Sequence, residues 1–141
     1  MPVSRADASW EGDLAHGGGK VRPASGAFAG LPITWASRAE RSEGNTSPEE
    51  LIAAAHAACY SMALSNGMGK AGLTDIVLQT GAEVEFIPGT GITTITLTVR
   101  GKAAGMEASQ FTELAEAAKE GCPVSQALKG NVEIKLDAAL A

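Results

Sequence analysis

The sequence predicts an α+β domain, and three observations carry that prediction. Thr46-Ser47-Pro48-Glu49-Glu50 has the chemistry of a helix start and opens onto an apolar, alanine-rich run from Leu51 to Leu64. Ile76 to Phe86 and Ile92 to Lys102 are two long strand-forming segments joined by Pro88-Gly89-Thr90-Gly91. Nearer the amino terminus, short alternating segments are separated by glycines. With 141 residues, and about 150 residues to a domain, a single domain over 1–141 is expected.

Taken in order, residues 5–13 and 19–23 alternate on either side of Gly17, Gly18 and Gly19, which predicts two short strands and a turn. Leu31 to Ser37 is a third short strand candidate, and the polar stretch from Arg38 to Thr46, with Gly44 and Asn45, is expected to be a loop. In the helix start, Ser47 suits the N-cap, Pro48 the first helical position, and Glu50 the place a capping box needs. Gly67, Gly69 and Gly72 should end that helix. The run Ile92-Thr93-Thr94-Ile95-Thr96-Leu97-Thr98-Val99 is rich in β-branched residues. Glu107 to Lys119 has helical spacing at Phe111, Leu114, Ala115 and Ala118, with Gly121 as a stop. Pro123 restarts a short helix over Cys122 to Leu128, and Val132 to Leu136 alternates as a last strand. Strands, helix, hairpin, helices and strand make an α+β order.

The helix from Leu51 to Leu64 is apolar on every side, and such a helix is expected to be buried all round. The strands are few and short, so a second copy of the chain would complete its cover, which makes a homodimer a reasonable expectation. At 14 residues the run falls short of the ~20 needed to cross a bilayer. The first residues carry Asp7, Glu11 and Asp13, without the apolar core of a secretory signal. A cytoplasmic protein with reduced thiols is expected. A net charge of −5 argues against nucleic-acid or anionic-membrane partners, which need a basic face. With hydrophobic residues at 45% and charged residues at 19%, the composition is that of a folded chain.

Only two cysteines are present, Cys59 and Cys122, too few for a disulfide scaffold and without a CxxC pair for zinc. Cys59 sits within the apolar helix, where burial alone would keep a thiol inert. His56, three residues earlier, shares nearly the same helix face, either as a core histidine or as a partner of the thiol. Cys122 stands at the start of a short helix, whose partial positive charge favours a thiolate, and Lys119 is close in sequence. Local electrostatics therefore favour Cys122 as the more acidic thiol. Other chemistries lack their motifs. His16-Gly17-Gly18-Gly19 has no GxSxG elbow to serve, there is no phosphate loop, and two distant histidines make no metal set.

The run from Ser47 to Leu64, Ser-Pro-Glu-Glu-Leu-Ile-Ala-Ala-Ala-His-Ala-Ala-Cys-Tyr-Ser-Met-Ala-Leu, closely resembles the signature helix of the OsmC/Ohr family of osmotically inducible and organic hydroperoxide resistance proteins. Gly121-Cys122-Pro123-Val124-Ser125-Gln126-Ala127-Leu128 resembles the second-cysteine motif of that family, and Trp10-Glu11-Gly12-Asp13 looks like its OsmC branch. The resemblance spans essentially the whole chain. It implies an OsmC-like fold of curved antiparallel β-sheets packed around long central helices, in an intertwined homodimer with active sites at the subunit interface. It also implies a peroxiredoxin-like thiol peroxidase that reduces organic hydroperoxides and hydrogen peroxide in oxidative-stress defence. No metal, haem or flavin cofactor is implied, and the reductant implied is a dithiol such as a lipoyl group.

By the same resemblance Cys59 matches the peroxide-reacting cysteine, Cys122 the resolving cysteine, and Glu49 a glutamate that pairs with an arginine near the reactive sulfur. Arg38 occupies the arginine position of the OsmC branch, with Arg41 in reserve. The Ohr branch instead carries its arginine near the amino-terminal glycine turn, where this chain has His16 and Lys20. A guanidinium suits the role because it remains charged while it stabilises both a thiolate and the oxygen leaving a peroxide. Glu49 precedes Cys59 by ten residues, about 15 Å along a continuous helix. Arg38 and Glu49 are therefore expected to serve the cysteine of the other subunit. Met62 and Met68 are candidates for an apolar pocket and equally for core. A thiol-disulfide reductase and a binding protein of this fold with idle thiols are the competing readings.

Overall fold

The computed structural model describes residues 1–40 and 44–141, so Arg41 lies outside the described residues. The chain divides into two compact units, Met1–Leu51 and Ile52–Ala141.

In the first unit, β1 (Ala6–Glu11), β2 (Gly18–Pro23) and β3 (Leu31–Ile33) form an antiparallel sheet in the order β1-β2-β3. The third strand is shorter than Leu31 to Ser37. A short helix, α1 (Trp35–Ala39), takes over after Thr34. The cause is a capping box: Thr34 Oγ1 accepts from Ser37 N–H at 3.1 Å, and Ser37 Oγ accepts from Thr34 N–H at 2.9 Å. Paired side-chain caps satisfy the first amides of a helix and outweigh strand propensity over so few residues. Every residue of β1 is exposed, and no apolar residue among the described residues of this unit is buried.

The second unit holds most of α2 (Pro48–Lys70), whose first turn contains the boundary, together with β4 (Val77–Ile87), β5 (Gly91–Lys102), α3 (Ala108–Gly121), α4 (Pro123–Leu128) and β6 (Glu133–Leu140). The helix α2 runs through Gly67 and Gly69. It stops only at Gly72, which takes φ +84°, while Leu73 N–H bonds back to Met68 O at 3.1 Å. That wrapped ending needs a left-handed residue, which glycine supplies without a steric penalty.

The hairpin of β4 and β5 is antiparallel, as the Pro-Gly turn predicts, but β6 pairs with β5 in parallel. The second sheet is therefore mixed rather than wholly antiparallel. A tight turn can join only antiparallel neighbours, whereas α3 and α4 lie between β5 and β6 and return the chain to the same end of the sheet. β6 also extends four residues beyond Leu136.

The core joins Tyr60, Leu64 and Met68 of α2, Ile95, Leu97 and Val99 of β5, Phe111 of α3, and Cys122. Gly101 of β5 makes room for Phe111, because a Cβ there would lie 2.7 Å from the ring. His56, Tyr60, Leu64 and Met68, spaced four apart, form the buried stripe of α2. The opposite face is not buried in the single chain: Ala54, Ala55 and Ala58 are exposed, and Met62 is 73% exposed. Of the two pocket candidates, Met68 is core and Met62 faces outward. No described helix is long and apolar enough to cross a membrane.

Candidate active site

Two constellations carry the chemistry-bearing residues, one in each unit. In the first unit the capping box of α1 sets Arg38 in that helix's last turn. Ser37 Oγ also donates to Thr46 O at 2.9 Å, which ties α1 to the segment entering α2. Glu49, in the first turn of α2, receives Arg38 Nε at 2.6 Å on Oε1 and 3.3 Å on Oε2. One N–H thus spans both carboxylate oxygens. The Glu49 side chain is only 7% exposed and that of Arg38 is 36% exposed, so a nearly buried carboxylate anchors a guanidinium that reaches the surface.

In the second unit Cys59 and Cys122 are both free thiols, and their sulfurs lie 3.1 Å apart. Cys59 projects from the middle of α2 and is partly accessible, whereas Cys122 is fully buried. Cys122 is at once the last cap of α3 and the first cap of α4, with Pro123 at the first position of the new helix.

Burial opposes ionisation of Cys122. The Ser125 amide, the Cys59 thiol, the Ser125 hydroxyl and the Val124 amide together outweigh it and hold Cys122 below the ordinary thiol value. No short side-chain cap bond forms at α4, so the amides act on the sulfur as dipoles at the start of the helix. Cys59 is pushed up, first by burial and then by Cys122 itself, with the Val124 amide working the other way. Two thiols in contact share a proton: the pair gives up its first proton more easily than an isolated thiol and its second less easily. Tyr60, buried beside them, donates its hydroxyl to Ala115 O at 2.8 Å, and its own ionisation is pushed far up by burial, Glu116 and Cys122.

His56 does not meet the thiols directly. Its Nε2 lies 2.7 Å from Ser125 Oγ, a buried contact between α2 and α4. Ser125 is the functional candidate that the sequence reading missed. Its signal was its position three residues after the N-cap cysteine, where N-cap and N3 side chains meet. Lys119 pairs with Glu116 at 3.5 Å, and His16 with Asp13 at 3.1 Å in an exposed turn. Among the described residues, no group of three or more His, Cys, Asp or Glu side chains could hold a metal ion.

Residues 41–137 match the family model described as "OsmC-like protein". The chain is also 45% identical over 136 residues to peroxiredoxin OsmC of Escherichia coli, covering 94% of this chain and 93% of that protein. The chain belongs to the OsmC-like family. This OsmC-like chain is further 36% identical over 95 residues to the organic hydroperoxide resistance protein OhrB of Bacillus subtilis, covering 65% and 68% of the two. Among solved structures it is similar to an organic hydroperoxide resistance protein OsmC of Legionella pneumophila, with TM-score 0.71, 25% identity, and 99% and 98% of the two chains covered. The crystal structure of B. subtilis OhrB aligns with TM-score 0.66 at 27% identity over 95% and 97%. The α+β class and the OsmC-like fold expected from the sequence are those of these relatives, and the family points to a redox role connected with hydroperoxides.

Proposed function

We propose that the chain is a two-cysteine hydroperoxide reductase acting on organic hydroperoxides, and on hydrogen peroxide, in oxidative-stress defence. Its relatives make it a peroxiredoxin-like enzyme. The observation that carries the finer reading is the 3.1 Å approach of an accessible Cys59 to a buried Cys122. The Cys59 thiolate attacks the nearer peroxide oxygen; an S–O bond forms, the O–O bond breaks, and the alkoxide leaves as alcohol after taking a proton. Cys122 then attacks the Cys59 sulfenic acid, forming the disulfide and releasing water. A dithiol reductant, for which a lipoyl-type group suffices, returns two electrons and two protons by exchange.

Within one chain Cys59 is the less acidic thiol, so this chemistry needs a positive charge at its sulfur. We assign that charge to Arg38 of the partner subunit, oriented by its Glu49, in a homodimer. Two observations support the dimer. The sheet β1–β3 has no buried apolar residue to stand on, and the Met62 face of α2 is uncovered. The same lack of an independent core in the first unit supports treating 1–141 as one domain. A cytoplasmic location suits a cycle that depends on a reducing dithiol pool.

The test is consumption of cumene hydroperoxide with a dithiol. Cys59→Ser should abolish it, and Cys122→Ser should give one turnover with accumulated Cys59 sulfenic acid. A Cys59→Ser protein that consumed peroxide like the parent would sink the proposal. The lowered Cys122 thiol favours a second reading, a thiol-disulfide reductase. That reading predicts reduction of a protein disulfide at a rate exceeding peroxide turnover. Absence of a Cys59–Cys122 disulfide on non-reducing gels after one equivalent of peroxide would favour a non-catalytic binding protein.

A further inference from the structure

We infer that His56 and Ser125 are positioning residues for Cys122: the buried imidazole fixes the Ser125 hydroxyl so that its proton is aimed at the Cys122 sulfur. This rests on the reading of Cys122 as the resolving thiol.

Four observations converge. His56 is fully buried, and its Nδ1 is buried without a hydrogen-bond partner among the described residues, while Nε2 contacts Ser125 Oγ at 2.7 Å. A buried N–H without an acceptor is costlier than a bare lone pair, which assigns the imidazole proton to Nε2. Ser125 Oγ then accepts from His56, which leaves its own proton to turn toward the Cys122 sulfur, whose ionisation this hydroxyl favours. Cys122 and Ser125 hold the N-cap and N3 positions of α4, which brings the two side chains together. Burial lowers the proton affinity of His56 and so favours the neutral imidazole, which acts as a hydrogen-bond donor rather than as a charge.

The surroundings leave this arrangement little competition. On α2 the titratable groups near Cys122 are His56, Cys59 and Tyr60, and the side chains that β5 buries in the core are Ile95, Leu97 and Val99. Glu116, Lys119 and Glu120 of α3 and Lys129 after α4 are tied up in ion pairs with one another. Ser125 also lines a cleft of about 150 Å³ bordered by Lys119, Glu120, Gln126 and Lys129.

In the closing step the Cys122 thiolate attacks the sulfenic sulfur of Cys59. The S–S bond forms, the S–O bond breaks, and the departing hydroxide takes up a proton to leave as water. The Cys59 sulfur is reduced and the Cys122 sulfur oxidised, with no outside reactant. The Ser125 hydroxyl, together with the Ser125 amide, favours the Cys122 thiolate for this attack although burial opposes it.

The experiment mixes reduced protein with one equivalent of cumene hydroperoxide. It follows the Cys59 sulfenic acid, trapped by a cyclic dione, and the disulfide across the neutral pH range. Ser125→Ala should slow closure about tenfold and move its pH midpoint upward, with oxidation of Cys59 as the internal standard. His56→Leu should act in the same direction, and His56→Gln, whose amide N–H can reach Ser125, should restore the rate. If Ser125→Ala folds poorly, the two His56 variants decide alone. A purely structural role would lower the melting temperature and leave the pH midpoint in place. Closure in the variants at the parent's rate and midpoint would overturn this inference only. A parent that formed neither sulfenic acid nor disulfide would overturn the hydroperoxide reading, and this inference with it.

Discussion

At Cys59 two influences oppose one another. Accessibility makes it the thiol a peroxide meets first, while burial and the neighbouring Cys122 make it the harder of the two to ionise. The partner's Arg38 resolves the conflict in the proposed dimer, because a guanidinium beside the sulfur stabilises both the thiolate and the departing oxygen. Arg38→Ala should therefore lower kcat/KM for an organic hydroperoxide about 10²-fold, read by steady-state kinetics. Arg38→Lys should rescue little of this: a lysine ammonium replaces the Nε–H that spans both Glu49 oxygens with a point charge. An Arg38→Ala enzyme of undiminished kcat/KM would remove the guanidinium from the reaction. The pairing of Arg38 with Glu49 was named from motif resemblance. The capping box that builds α1 beneath Arg38 was readable in Thr34 and Ser37 but was hidden by the strand-like Leu31-Pro32-Ile33 before it.

Among the elements, α2 carries the most consequence. Its apolar composition predicts burial on every side, yet within the apolar run and beyond it only the stripe of His56, Tyr60, Leu64 and Met68 is buried in one chain, with Glu49 buried in the first turn. Alanine is apolar but small, so a run rich in it does not reveal which face meets the core. Within that stripe His56 makes stability depend on pH. Burial lowers its proton affinity in the folded state, so between its folded value and the unfolded value near 6.5 the unfolded chain binds more protons. Stability from this group is full above about pH 6.5 and is lost as the pH falls below it. Thermal melts should show the parent's melting temperature falling below about pH 6.5, and His56→Leu should flatten that fall. An equal pH slope in both proteins would show that other groups set it.

For the whole molecule, the question is what covers the surfaces that one chain leaves open. The sheet β1–β3 buries no apolar side chain, and α2 presents Ala54, Ala58 and Met62 outward. An exposed apolar face such as that of α2 marks an association site. Met62→Asp should shift sedimentation toward monomer and lower peroxide turnover together, because the proposed site needs the partner's Arg38. A dimeric, fully active Met62→Asp protein would put the interface elsewhere.

The sequence by itself determined the kinds of elements and most of their order. Caps, prolines, glycine turns and β-branched runs act over three or four residues, so Pro48, Pro123, Pro88-Gly89 and the Ile92 run could be read locally. It also favoured Cys122 as the more acidic thiol, and the amides at the start of α4 do push Cys122 down while Cys59 is pushed up. Tertiary structure alone decided that β6 runs parallel to β5, that Cys59 and Cys122 touch, and that His56 reaches Ser125 from 69 residues away. Such contacts depend on how the layers pack, and a spacing along the chain carries no record of that.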